Sequence, residues 1–249
     1  MSFPTRNYYS LLCALTLLPA LSYCQDYFVP SRASYYGSPD CLGNPTGACG
    51  YGEYGRTINV ANVAGVSRLW RNGTGCGACY QVRCRVPNHC SDDGINVVVT
   101  DYGEGDRTDF ILSTRAYGRL ARPNSAAELF SYGVVDIEYK RVPCQYPGYN
   151  LLIKVKQQSK FPNYLAIVIL YQAGSYDITS VEVWQEDCKE WKGMRRAYGT
   201  VWDIVTPPTG AMNFRVQVSG GDGMKWVTIN KGIPNDWKAG VVYDTSVQL

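Results

Sequence analysis

The chain has 249 residues, a net charge of +3 and only 18% charged residues, so its composition does not favour a nucleic-acid-binding protein. Its 20 tyrosines, 25 glycines and 13 prolines favour many strands and turns over helix bundles, which predicts an all-β protein. No stretch reaches the ~20 consecutive apolar residues that a membrane span requires. We therefore expect no nucleic-acid partner and no membrane anchor.

The N-terminus has the three parts of a secretory signal peptide. Arg6 is followed by the mainly apolar residues 11–21 and then by Ser22-Tyr23-Cys24. A charged region, a short apolar region and small residues at a cleavage point predict a signal peptide at residues 1–24. A cut before Cys24 and a buried N-terminal helix are the alternatives. We expect a secreted, extracellular protein.

The ten cysteines are concentrated between residues 41 and 144. In an oxidising compartment such a set predicts a disulfide framework. Cys76, Cys79, Cys84 and Cys90 have a spacing that a zinc site would also allow. A thioredoxin-type redox pair is disfavoured because no βαβ pattern surrounds Cys76 and Cys79. Disulfides are the preferred interpretation, with no metal and no cofactor.

In the first half, strand patterns occur at residues 80–85, 95–100 and 133–139. A helix is predicted at residues 113–121, where Leu112, Ala116 and Leu120 fall on one face and Pro123 ends the pattern. Asp109 precedes this stretch and is predicted to be an N-cap.

Glycoside hydrolysis usually requires two carboxyl groups on either side of the scissile bond. Asp101 ends an apolar strand, where a carboxylate can point into a cleft, and Asp109 follows eight residues later. Glu104 and Asp106 lie in the loop between them, where acidic residues are usually solvated. Spacing alone does not choose among these four. A Ser-His-Asp site is disfavoured because the only histidine adjoins a cysteine.

The part of the sequence that is rich in cysteine and glycine ends at a predicted linker, residues 141–148, which contains two prolines and a glycine. Beyond it, apolar residues alternate with polar ones at 151–156 and 214–218, and residues 164–171 form a continuous apolar run. Further strands are predicted at 181–184, 199–205 and 225–229. Six or seven short strands in about 100 residues are typical of an antiparallel sandwich.

An ordered series of motifs resembles the plant expansin family. They are SYYG at 34–37, GACGYG at 47–52, GCGACYQVRC at 75–84, VTD at 99–101, VVDIEYKRVPC at 134–144 and NYLA at 163–166. The series extends over essentially the whole predicted mature chain. Two stretches, YGSPDC at 36–41 and VWQEDCKEW at 183–191, resemble the expansin-like B group.

The resemblance implies two domains. Residues 25–145 would form a double-psi β-barrel related to family-45 glucanases, and residues 146–249 an immunoglobulin-like, carbohydrate-binding β-sandwich. It also implies the disulfides Cys49–Cys76, Cys79–Cys144 and Cys84–Cys90. The pairing of Cys24, Cys41 and Cys188 stays open.

The chain also departs from the family. By resemblance the cleft keeps Ser34, Tyr36 and Asp101. The family's catalytic acid lies in an HFDLS stretch, which corresponds here to DFILS at 109–113, so Ile111 occupies the acid position. Isoleucine cannot donate a proton, so classical acid–base hydrolysis loses its acid and we expect no enzymatic activity.

We therefore predict a monomeric, non-hydrolytic protein of expansin type that binds cell-wall polysaccharides such as cellulose and matrix glycans, with wall loosening as its action. Two alternatives remain. One is a structural or defence-related glycan binder without loosening activity, and the other is a weak endoglucanase that uses Asp101 and Asp109.

Aromatic side chains on the sandwich are the candidate sugar contacts. The resemblance places two of them at Tyr164 and Tyr198. Side chains alternate between the two faces of a strand, so Trp184 faces outward if Val181 and Val183 face the core, and it is a third candidate. Trp191 and Trp202 are expected in the core. Separately, Asn72 begins the sequence Asn-Gly-Thr, a candidate site of N-glycosylation.

Overall fold

A computed structural model describes residues 27–105 and 108–249. The predicted signal peptide and Asp106 therefore lie outside the described residues. Within the described ranges, no helix has the length and apolar character needed to cross a membrane.

The first part of the chain forms a closed six-stranded barrel in the order β1-β5-β2-β4-β3-β6. Parallel pairs, β1 with β5 and β2 with β4, are combined with antiparallel ones. The strands are β1 (Val29–Tyr36), β2 (Val63–Val66), β3 (Cys79–Cys84), β4 (Ile95–Tyr102), β5 (Phe110–Ser113) and β6 (Val135–Val142). The barrel interior is filled by apolar side chains, among them Val82, Val99, Phe110 and Leu112. The all-β prediction is confirmed.

Helices are short and lie outside the barrel. They are α1 (Glu53–Thr57), α2 (Thr114–Arg119) and α3 (Ala126–Tyr132), with 3₁₀ segments at Ile58–Ala61 and Arg68–Gly73. The predicted N-cap at Asp109 is wrong, because residues 110–113 form strand β5. Ser113 caps α2 instead, its Oγ accepting a hydrogen bond from the Ala116 N–H at 3.1 Å.

The second part forms two stacked antiparallel sheets, one with the order β10-β9-β13-β14 and one with the order β11-β12-β8-β7-β15. The strands are β7 (Leu152–Val155), β8 (Tyr164–Leu170), β9 (Asp177–Gln185), β10 (Glu190–Gly193), β11 (Arg195–Tyr198), β12 (Val201–Val205), β13 (Met212–Gly220), β14 (Gly223–Ile233) and β15 (Val242–Asp244). Side chains from the inner faces meet in one apolar core, as the alternating pattern predicts; they include Ile153, Ile167, Val183 and Phe214.

Three disulfides lie in the barrel part: Cys49–Cys76, Cys79–Cys144 and Cys84–Cys90. These are the pairs that the resemblance implies. The zinc alternative is wrong, because all four of its ligands are used in disulfides. Cys41 and Cys188 are both exposed and free, so they do not pair with each other.

The barrel and the sandwich are in direct contact. The Tyr54 hydroxyl accepts a hydrogen bond from the Tyr171 N–H at 2.9 Å, and the two rings meet edge to face. Gly73 and Gly199 pack backbone to backbone, since a Cβ on Gly73 would lie 2.4 Å from the Gly199 carbonyl oxygen. Both glycines also have positive φ, so larger residues would be strained here as well as crowded.

Candidate functional site

A row of residues across four barrel strands defines the first candidate site. Asp101 on β4 is aligned with Gly65 on β2, Gly65 with Ile111 on β5, and Ile111 with Ser34 on β1. Because neighbouring strands lie about 4.8 Å apart, the backbones at Asp101 and Ile111 are separated by about 10 Å. In inverting glycosidases the two carboxyl groups are about 6.5–9.5 Å apart. Asp101 and position 111 line the same cleft, and position 111 holds isoleucine instead of a second carboxyl group.

A cleft of about 360 Å³ opens along this row. Asp101 and Asn44 form its polar side, while the Tyr36 and Ile111 side chains form an apolar side. A Cβ on Gly103 would lie 2.8 Å from Ile111 Cδ1, so the glycine leaves room for the end of the isoleucine side chain. Ser34 is half-buried in β1 and is not among the residues that line the cleft.

Asp101 is held by three N–H donors. Its Oδ1 accepts hydrogen bonds from the backbone N–H of Ala48 at 2.6 Å and of Tyr102 at 2.8 Å, and its Oδ2 accepts one from Asn44 Nδ2 at 2.9 Å. A carboxylate with these contacts is fixed in orientation and well suited to accept hydrogen bonds. Asn44 and Ala48 were not identified from the sequence, because their contact with Asp101 spans more than 50 residues.

Tyr36 supplies a neutral hydroxyl beside this carboxylate. Burial and the nearby Asp101 charge raise the pKa of Tyr36 well above its usual range. Its hydroxyl is buried and has no well-formed hydrogen bond to any described residue. At neutral pH the hydroxyl is therefore protonated and uncharged.

Asp109 lies outside the cleft and contributes to a separate depression beside Arg68. Its carboxylate binds the Arg68 guanidinium through two contacts of 2.8 and 2.9 Å, and it accepts a hydrogen bond from Ser31 Oγ at 2.6 Å. Burial alone would raise the pKa of Asp109, but these bonds outweigh it and lower that pKa below its usual value. Asp101 and Asp109 thus do not face one another across a single cleft.

The second candidate site is the outer face of the five-stranded sheet. Tyr198 is 48% exposed at the end of β11, and Tyr164 is half-buried on β8. The Tyr164 hydroxyl donates to Asp203 Oδ2 at 2.9 Å, and Asp203 is also paired with Arg195 through contacts of 2.9 and 2.6 Å. Hydrogen bonds from Arg195, chiefly, lower the pKa of Asp203. The site thus combines two tyrosine rings with a neutralised ion pair.

Trp184 is not part of this tyrosine site. It lies on β9, in the other sheet, directly opposite Trp191 on β10. Val181 and Val183 are buried and Trp184 is not, as the alternation predicts, but alternation does not specify the sheet, and Trp184 lies on the sheet opposite that of Tyr164 and Tyr198. Trp202 is buried as predicted, whereas Trp191 is half-buried on the outer surface and not in the core.

One loop connects the cleft to the tyrosine site. Within residues 44–50, Ala48 binds Asp101, and two residues later Gly50 packs against the Tyr198 ring, where a Cβ would lie 3.0 Å from it. The Gly50 carbonyl oxygen also accepts a hydrogen bond from Lys156 Nζ of the sandwich at 2.6 Å. The two sites are therefore structurally linked.

Comparisons with known proteins agree with this architecture. The protein-family model described as "Expansin C-terminal domain" matches residues 151–234. A second family model, for a double-psi β-barrel and described as "Lytic transglycolase", matches residues 62–139. Expansin-like B1 of Arabidopsis thaliana is 58% identical over 236 residues, which cover 94% of this chain and 94% of the relative. The chain belongs to the expansin family.

Other expansins extend this result. Expansin-like B1 of Oryza sativa subsp. japonica is 40% identical over 98% of this chain and 97% of the relative. The crystal structure of an expansin from Clavibacter michiganensis superposes with a TM-score of 0.65 at 20% identity, covering 89% of this chain and 98% of that one. A point mutant of that bacterial expansin, in complex with cellohexaose, superposes with a TM-score of 0.66. These structural matches show the shared fold.

The two buried aspartates make the stability of this expansin depend on pH. Asp109 and Asp203 both have a pKa below the value of about 3.9 for a free aspartate. Their contribution to the free energy of unfolding is therefore complete above that value, and it is lost as the pH falls through the lower folded-state pKa.

We expect the urea midpoint of the wild type to be steady between pH 7 and 5 and to fall below about pH 4. Asp109→Asn should be less stable than the wild type at pH 7, and the difference should narrow toward pH 2. The exposed Asp136 provides the control, since Asp136→Asn should follow the wild type throughout. A constant gap between Asp109→Asn and the wild type would contradict this.

Proposed function

We propose that this expansin is a secreted, non-hydrolytic protein that binds neutral cell-wall polysaccharides and loosens the wall. The observation that carries the proposal is the link between the two sites. A single loop joins the cleft that contains Asp101 to a β face with two tyrosine rings, Tyr164 and Tyr198. The cellohexaose bound by a structurally similar bacterial expansin is a ligand of this chemical class.

Sugar rings present apolar C–H faces on which aromatic rings can stack. If each tyrosine contributes about 0.5–1.5 kcal/mol beyond the area it buries, two rings give weak binding. We expect a dissociation constant on the order of micromolar to millimolar. Because Arg195 and Asp203 neutralise one another between the rings, binding should depend little on salt, unlike charge-driven binding.

The first test is a cellulose pull-down of Tyr164→Ala/Tyr198→Ala in low and high salt. We expect the double variant to bind at least about tenfold more weakly, the loss of roughly 1.4 kcal/mol, while the wild type binds equally at both salt concentrations. Tyr132→Ala, which removes an exposed tyrosine of the barrel part, is the matched control and should bind as the wild type does. Undiminished binding by the folded double variant, or loss of wild-type binding at high salt, would remove the tyrosine site from the proposal.

The absence of hydrolysis is proposed from Ile111. With no carboxyl group there and with Asp109 paired to Arg68 elsewhere, Asp101 has no acid partner among the described residues that line the cleft. Purified protein should release no soluble sugar from cellulose, xyloglucan or mixed-linkage glucan in a reducing-sugar assay. Turnover that disappears in Asp101→Asn would instead support the weak endoglucanase.

Wall loosening is tested separately from binding. Creep of a heat-killed wall strip under constant load should increase when the protein is added. A protein that binds the strip without increasing its creep would be the structural or defence-related glycan binder.

Secretion is supported by the chemistry of the cysteines. Three disulfides within one part of the chain are typical of an oxidising compartment. We propose that residues 1–24 direct the chain to the secretory pathway, that residues 25–145 and 146–249 are its two domains, and that it acts as a monomer in the cell wall. Asn72 is exposed and accessible to a glycan.

A further inference from the structure

The outer face of the four-stranded sheet has an aromatic surface of its own. It carries three of the six tryptophans in the chain: Trp184 on β9, Trp191 on β10 and Trp226 on β14. Trp226 is 40% exposed, and the other two are half-buried. We call these three residues, with Arg215 on β13, the tryptophan face. It lies on the opposite side of the sandwich from Tyr164 and Tyr198.

Arg215 fixes the arrangement of the rings. Its guanidinium carbon lies 4.7 Å from the Trp191 ring centroid and 4.3 Å from that of Trp226, so the two rings are about 9 Å apart at most. Trp184 meets Trp191 edge to face at 5.3 Å. Because each ring is held by its neighbours, the face is ordered before any ligand arrives, which lowers the entropic cost of binding.

The charges of the face are internally balanced. Glu182 accepts a hydrogen bond from Arg215 Nε at 2.6 Å. Glu186 accepts one from Trp184 Nε1 at 2.8 Å and is paired with the Lys189 ammonium group. The exposed rings are therefore left as the dominant feature. The sheet does not need them to close its core, since Val181, Val183 and Phe214 already fill the inner side and are fully buried.

The same chemistry occurs on both sides of the sandwich. On one side the Arg195–Asp203 pair lies with Tyr164 and Tyr198, and on the other side the Arg215–Glu182 pair lies with Trp191 and Trp226. Rings combined with a neutralised ion pair suit a ligand with apolar faces and hydroxyl edges and no net charge. A protein partner would instead favour a continuous apolar patch.

We propose that the tryptophan face is a second binding site for a neutral polysaccharide chain, so that one molecule bridges two chains. The bridging rests on the proposed function, because the first chain would occupy the tyrosine site. The second site itself does not, since its rings and charges are independent of Tyr164 and Tyr198.

Direct binding is measured by titrating soluble cellohexaose and following tryptophan fluorescence. In Tyr164→Ala/Tyr198→Ala, where the tyrosine site is removed, we expect a saturable fluorescence change to persist. Adding Trp226→Ala should weaken that binding at least tenfold, whereas Trp226→Phe, which keeps a ring, should weaken it less. Binding unaffected by Trp226→Ala, or no binding by the Tyr164→Ala/Tyr198→Ala variant, would overturn the second site.

Bridging is measured on insoluble cellulose coated with the protein. Wild-type protein should retain labelled, soluble mixed-linkage glucan after washing, and the Trp184→Ala/Trp226→Ala variant should retain at least tenfold less while still binding the cellulose. If the Trp184→Ala/Trp226→Ala variant does not fold, Trp226→Ala alone replaces it in this experiment.

A second copy of this chain is the alternative occupant of the tryptophan face. If the tryptophan variants abolish self-association in sedimentation and leave glucan retention unchanged, a second copy covers this face and the proposal is wrong. Failure of the tyrosine site would show separately, as undiminished cellulose binding by Tyr164→Ala/Tyr198→Ala.

Discussion

Replacement of both Cys79 and Cys144 by alanine should lower the free energy of unfolding by about 4 kcal/mol, because this disulfide closes the longest loop of the three. The linked residues are 65 positions apart, against six positions for Cys84 and Cys90. In the loop-entropy model the short loop contributes only about 2 kcal/mol. The order of the two effects is therefore fixed by sequence separation alone.

The measurement is unfolding in guanidinium chloride, with Cys84→Ala/Cys90→Ala as the matched control. Both disulfides are buried, so the loss of packing is similar in the two variants. Because loss of a disulfide can also expand the unfolded state and raise the denaturant slope, the variants are compared by their free energies of unfolding extrapolated to zero denaturant and not by their midpoints alone. Equal destabilisation by the two double variants would contradict the loop-entropy explanation.

The sandwich could be predicted from local alternation because each of its strands has one face in the core. Ile153 and Val155 are fully buried, while Lys154 between them is not. The continuous apolar run at 164–171 is also explained, since outward Val168 and Leu170 pack against the barrel part while Ile167 faces the sandwich core. Alternation therefore identified the strands with one buried face, and the continuous apolar run identified the strand that is buried on both faces.

The barrel was harder to predict because its strands pair with distant partners. Phe110-Ile111-Leu112-Ser113 reads locally as the approach to a helix, yet it forms β5 between β1 and β2. Strand β1 pairs with segments about 80 and 105 residues away, and nothing in its own sequence specifies them. Helices α1 (Glu53–Thr57) and α3 (Ala126–Tyr132) were not predicted from the sequence either.

The candidate sites were only partly accessible to sequence reasoning. Asp101 was identified from its position at a strand's end, and Ile111 from the family resemblance. The partners that orient these sites, such as Asn44 for Asp101 and Arg195 for Asp203, come from loops or neighbouring strands and have no local signature. Trp184 shows the same limit, since its outward direction was predictable and its sheet was not.

Asp177→Ala should weaken the coupling between the barrel and the sandwich. The Asp177 carboxylate, at the start of β9, lies 2.8 Å from Arg71 and 3.3 Å from Arg141, both of which belong to the barrel part. Its side chain is 17% exposed, but the Arg71 and Arg141 side chains are 43% and 25% exposed, so solvent screens part of the repulsion that its removal leaves between them. We expect a loss of about 1 kcal/mol, the upper end of the range for solvent-accessible ion pairs. Asp222→Ala, at an exposed ion pair with Lys225, should change stability by less than about 0.5 kcal/mol.

The same variant tests whether the two sites act together. A glucan chain that contacts the cleft and the tyrosine site at once gains affinity only while the two parts hold a fixed geometry. Asp177→Ala should therefore separate the unfolding transition into two steps and also weaken binding to cellulose, whereas binding of short oligosaccharides that fit one site should be unchanged. Urea unfolding followed by far-UV circular dichroism, together with pull-downs on cellulose, measures both effects. A single cooperative transition with wild-type cellulose affinity would show that Asp177 does not couple the two parts. The fixed geometry would then come from the other contacts between them, among them Tyr54–Tyr171, Gly73–Gly199 and Gly50–Lys156.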